Sequence, residues 1–106
     1  MVMNGFVEAA MMMNANVFYD LRANELEDNN VFQRVFNQDC PDDELVWHRD
    51  KRDRVVKVIS GVNWKFQFDN QLPVTLKVGE RFVIERETYH RILKGDGKLI
   101  LEIEEK

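Results

Sequence analysis

A chain of 106 residues with a net charge of −4 is sized for one domain that can bury its own core without disulfides. Hydrophobic residues at 44% and charged residues at 32% exclude fibrous, low-complexity and disordered classes. Basic residues alternate with acids in HRDKRDR instead of forming a patch, which argues against a nucleic-acid partner. The single cysteine, Cys40, rules out an intrachain disulfide and fits a reducing, cytoplasmic setting. No apolar run approaches the roughly 18 residues that span a bilayer, so no membrane partner is expected. The Met-rich start, MVMNGFVEAAMMMN, lacks the basic flank of a secretory signal and is expected to stay on the protein.

Gly5 to Met13 holds good helix formers, and Asn14 can end a short helix there. Asn16 to Asp20 (NVFYD) is β-prone and reads as an edge strand. In the stretch from Leu21 to Asn37, Val31/Phe32 and Val35/Phe36 repeat four residues apart, which predicts one or two turns of helix capping an open end of a sheet. DCPDDE, from Asp39 to Glu44, is a turn set by Pro41 and its flanking aspartates. Residues 1–38 thus form an N-terminal extension of short helices and an edge strand, and 39–106 form the main body.

From Leu45 onward the pattern is all-β. Strands are predicted at 45–50, 54–60, 63–69, 74–77, 81–85, 89–93 and 98–104, separated by turns such as KRD, DNQLP and GDG. Trp64, Phe66 and Phe68 share one face in NWKFQFD while Lys65 and Gln67 take the other. Leu99, Leu101 and Ile103 likewise line one face of KLILEIE. Seven short strands with tight turns suggest a sandwich or barrel, with Trp47, Trp64, Phe66 and Phe68 as core aromatics.

The chemistry concentrates in two segments, ELVWHRDKRDRVVKVISG (Glu44 to Gly61) and GERFVIERETYH (Gly79 to His90). On a strand, His48 and Asp50 leave the same face because side chains alternate with period two. His90 closes the second segment and can meet them if the sheet curls back. Two histidines and one carboxylate on one face, with other positions open, is the donor set of mononuclear non-haem iron sites. Both histidines of the chain fall in this constellation. Arg54 competes with that reading, because a guanidinium can neutralise Asp50 and repel a cation.

The segment from about Leu45 to Glu104 resembles a cupin, a small double-stranded β-helix barrel. Gly79 and His90 have the separation of the family's second motif, Gly-x5-Pro-x-Gly-x2-His, with Glu85 at the proline place and Glu87 at the second glycine. In the first motif, His48 matches the first histidine, Asp50 replaces the second, and Arg54 or Val55 stands where a glutamate is usual. Gly61, thirteen residues after His48, sits as in Jumonji-type hydroxylases, which carry His-x-Asp and a distal His. The runs WHRDKRDR and WKFQFDNQLP are also similar to stand-alone cupins of marine phages and bacteria.

The resemblance implies an all-β barrel, commonly a homodimer, with a divalent metal on His48, Asp50 and His90 inside it. Fe(II) would come first, then Mn, Ni or Zn, and the reaction would be an oxygen-dependent one on a small molecule. Arg54, Gln67 and Glu85 are the candidate substrate-binding residues. The alternative is a metal-free small-molecule-binding or regulatory cupin with Asp50 paired to Arg54. The direction of Arg54 separates the two: outward for the enzyme, into the barrel for the binding module.

Overall fold

A computed structural model describes residues 18–22, 30–39 and 45–106. Eight strands follow in order: β1 (Phe18–Arg22), β2 (Val31–Phe36), β3 (Arg54–Val62), β4 (Lys65–Phe68), β5 (Val74–Thr75), β6 (Arg81–Ile84), β7 (His90–Leu93) and β8 (Asp96–Glu105). They form a five-stranded sheet, β1-β2-β8-β3-β6, and a three-stranded sheet, β5-β4-β7. The described residues contain no helix, and the helix expected over Gly5–Met13, Cys40 and most of the Asp39–Glu44 turn lie outside them. None of the described residues forms a helix long and apolar enough to cross a membrane.

The two sheets face each other across one apolar cluster, to which each contributes alternate residues. Val56 and Val58 of β3 and Leu99, Leu101 and Ile103 of β8 come from the larger sheet, and Phe66 of β4 from the smaller. Trp64 and Leu99 are fully buried, as their place in the alternating runs predicted. Phe66 reaches across to Phe82 of β6 with ring centroids 4.9 Å apart. Burying such side chains contributes about 1.5–3 kcal/mol each, an upper bound because an unfolded chain already hides part of its surface.

The structure corrects the helix expected between Leu21 and Asn37. Val31–Phe36 is strand β2, antiparallel to β8 with Phe32 opposite Ile103 and Phe36 opposite Leu99. The two Val-Phe pairs satisfy a four-residue repeat, but Phe32, Arg34 and Phe36 equally satisfy the two-residue repeat of a strand. The apolar row of β8 decides between them by supplying a partner surface, and β-branched and aromatic residues suit it. β1 pairs with β2 at the sheet edge, in agreement with the edge strand read near Asp20. The extension is thereby continuous with the barrel's larger sheet.

Glycine matters structurally at two turns. Gly79 turns the chain into β6 with φ of +92°, a conformation L side chains rarely adopt. At Gly95, between β7 and β8, a Cβ would overlap the backbone of Val62, Asn63 and Trp64. The chain therefore returns toward the core with main chain packed directly on main chain.

Candidate metal centre

The expected strand over 45–50 is reduced to a single bridge. His48 exchanges two backbone hydrogen bonds with His90, His48 N–H to His90 O at 3.0 Å and His90 N–H to His48 O at 2.9 Å. That bridge sets the two imidazoles side by side, ring centroids 4.3 Å apart. Neighbouring contacts pin the loop between them: Glu87 N–H donates to Asp50 O at 2.7 Å, and Arg86 N–H to Asp53 Oδ1 at 2.7 Å.

Each ring is oriented from behind. His48 Nδ1 lies 3.0 Å from Val46 O, and His90 Nδ1 lies 2.8 Å from Thr88 O. A carbonyl only accepts, so in the neutral rings the Nδ1 atoms carry the protons and both Nε2 atoms present lone pairs forward. His90 is 3% exposed and stacks on Phe66 at 5.4 Å. Burial is the main cause holding its pKa below the ordinary imidazole value, reinforced by the charges of His48 and Arg54 and opposed by the Thr88 bond and Asp50.

Asp50 completes the group. Its Oδ2 lies 3.4 Å from His90 Nε2, and its Oδ1 lies 3.8 Å from His48 Nε2. One donor atom from each of the three residues falls within a 4.8 Å cluster. Among the described residues, Asp50 Oδ2 is the one buried side-chain polar atom with no hydrogen-bond partner. An orphaned carboxylate oxygen beside His90 Nε2, with His48 Nε2 toward the other oxygen of the same carboxylate, is a costly arrangement without a cation, and it fits a divalent ion well.

Arg54 points inward, the direction associated above with the metal-free alternative. Its Nη1 is 3.3 Å from Asp50 Oδ1. Its Nε and Nη2, however, both donate to Glu105 Oε2, at 3.1 and 2.7 Å. Asp50, Arg54 and Glu105 together carry one net negative charge, which attracts a cation.

These residues sit in the wall of a cavity of about 280 Å³. Phe18, Phe36, Phe66, Phe82, Ile84 and Ile92 supply much of its apolar lining, and Arg34 joins them. Arg34 escaped the sequence reading because its strand was read as helix. It is held by Asp20 through Nε–Oδ1 at 2.8 Å and Nη2–Oδ2 at 3.1 Å, with its guanidinium 4.0 Å from the Phe18 ring.

Two candidates are not brought to the cavity. Gln67 alternates with inward Phe66 and Phe68, so it lies on the outer face, accepting from Arg91 Nε at 2.8 Å and donating to Gln71 O at 2.8 Å. Glu85 follows β6 on an exposed loop. Trp47 is likewise not core: with His48 turned inward its neighbour turns out, 39% exposed, with Arg91 stacked 4.7 Å from its ring.

No family model and no curated protein matches the chain. Solved structures do. A cupin-2 domain protein from Shewanella frigidimarina NCIMB 400 aligns over 98% of this chain and 95% of its own at 22% identity and a TM-score of 0.57. A cupin domain from Bordetella pertussis Tohama I aligns over 85% and 94% at 18% identity and a TM-score of 0.59. A structure of the DMSP lyases RdDddP and RnDddQII matches 72% of this chain at 14% identity and a TM-score of 0.61, but the chain spans only 37% of that chain's length. At these identities the likeness is one of fold, and its consistency across neighbours joins the two-sheet architecture and the seam between His48 and His90: the chain has the cupin fold.

Proposed function

We propose that this protein holds one divalent metal ion on His48 Nε2, His90 Nε2 and the Asp50 carboxylate, and that its cavity receives a small molecule with a largely apolar body. The observation that carries the reading is the buried, unpartnered Asp50 Oδ2 beside His90 Nε2, with His48 Nε2 toward the other oxygen of the same carboxylate and both rings turned forward by their Nδ1 contacts. Two nitrogen donors, one carboxylate and further open positions favour Fe(II), with Mn, Ni and Zn behind it. A bound ion of this kind supplies Lewis acidity and, as iron, the means to bring dioxygen and substrate together in an oxygen-dependent reaction.

The chain's own residues do the rest. His48, with its side chain 49% exposed, faces the mouth, while His90 and Asp50 form the buried floor. The aromatic and aliphatic walls exclude water from the substrate body and leave Arg34 and Arg54 as the cationic side chains that line the cavity among the described residues.

A metal-free binding site is favoured by one observation, the 3.3 Å approach of Arg54 to Asp50. Its ligand would have to bring hydrogen-bond donors, since the two Nε2 atoms and Oδ2 are all acceptors. Titration calorimetry with Mn(II), repeated anaerobically with Fe(II), separates the readings. About one equivalent should bind to the wild type and none to His48→Ala or His90→Ala. Equal uptake by all three proteins places the metal elsewhere, and no uptake by any leaves the metal-free reading standing.

A further inference from the structure

Arg54 poses a problem for a cation site. A guanidinium nitrogen 3.3 Å from Asp50 Oδ1 competes with an ion for the same carboxylate and repels it besides. Left alone, an arginine and an aspartate four residues apart at 14% and 9% side-chain exposure would close a two-pronged pair and remove the anionic ligand.

Glu105 stands in the way of that collapse. It lies directly opposite Arg54 in the β3–β8 ladder and takes both Nε and Nη2 on one oxygen. Only Nη1 is left toward Asp50, and that contact is an ion pair without hydrogen-bond geometry, whereas Oδ2 accepts no hydrogen bond from the guanidinium. The backbone that carries Glu105 is itself anchored: Glu105 N–H donates to Asn30 O at 3.0 Å, and Lys106 N–H to Asp53 O at 2.8 Å.

We propose that Glu105 is a positioning residue of the metal centre, one that holds the Arg54 fork and offsets its charge so that Asp50 remains available to the ion. The inference rests on the metal-binding reading given above. With Glu105 present, the Asp50–Arg54–Glu105 chain is net negative and attracts a cation; with the glutamate neutralised it is net zero, and Arg54 turns to Asp50. Glu105 thus acts on the ion only through Arg54, and that dependence yields an unusual pattern of variants.

Mn(II) titration calorimetry on the full chain reads it directly. Glu105→Gln should lower affinity by roughly tenfold or more, because the freed guanidinium pairs with Asp50. Adding Arg54→Gln to that variant should restore affinity to within about threefold of wild type, since the competitor is gone. Arg54→Gln alone should bind at least as tightly as wild type, and Glu105→Asp, which keeps the charge, should fall between wild type and Glu105→Gln. A residue needed only to hold the end of β8 in place would give a double variant no better than Glu105→Gln, and that result overturns the proposal. Should Glu105→Gln not fold, the Arg54→Gln protein decides alone: weaker Mn(II) binding than wild type refutes competition by the guanidinium. Wild-type protein that binds no Mn(II) refutes the metal reading itself, an outcome distinct from a wild type that binds and a Glu105→Gln that binds equally well.

Discussion

Replacing Asp50 by Asn removes the one formal charge the three donors carry while leaving the size of the side chain unchanged, so it isolates electrostatics from packing. The carboxylate sits 3.4 Å from His90 Nε2 and 3.8 Å from His48 Nε2, near enough for all three to share one ion. An ion at a hundredfold its Kd stabilises the folded state by about 2.7 kcal/mol. For 106 residues, an unfolding entropy of about 2.1 cal/mol/K per residue converts this to a Tm rise of about 12 °C. Loss of a directly ligating anion should weaken binding by at least the roughly 10–100-fold that loss of an outer partner costs. At the upper figure the same ion concentration leaves about 0.4 kcal/mol, or about 2 °C. Thermal unfolding of both proteins in Mn(II) and in chelator measures the difference. A rise in Asp50→Asn equal to that of the wild type would refute the role given to the carboxylate.

Gly95→Ala should destabilise the fold by about 3 kcal/mol or more, since its Cβ would meet rigid backbone at Asn63 and Trp64; an unchanged urea midpoint would show that the turn gives way. Because burial lowers the pKa of His90, the unfolded chain takes up the proton first as pH falls. The contribution is present above about pH 6.5, the unfolded value, and is lost as pH drops through the lower folded value. Metal-free protein should therefore lose stability as pH falls below about 6.5, and His90→Gln should flatten that slope; an identical slope in both would assign the effect to other groups.

The candidate cluster was legible in two pieces, one local and one carried by a spacing. His48 and Asp50 share a face by alternation, and His90 closes the second segment at the spacing of the family motif. The same alternation put Phe66 and Phe68 inside and therefore Gln67 outside, so its exclusion from the cavity was readable from the residues alone. Arg54 was visible as an intruder, but its partner was not: Glu105 lies 51 residues away, and nothing in EIEEK marks one glutamate above the others until β8 is laid against β3. Arg34 was hidden by an ambiguity of period. VFQRVF serves a helix or a strand equally, and only the apolar row of β8 breaks the tie.

β8 is flanked by β2 on one side and β3 on the other, and its alternate residues fill the core before its last turn of the ladder delivers Glu105 to Arg54. Every one of those pairings joins segments distant along the chain, so entropy must be given up in large loops before any contact returns it. Sheets of this kind fold on the order of milliseconds to seconds. The centre cannot form as a local nucleus that waits for the barrel; it comes together in the same slow, cooperative closure that creates the core. Substitutions along β8 are therefore expected to register twice, as slower folding and as a weaker site, even where they touch no ligand.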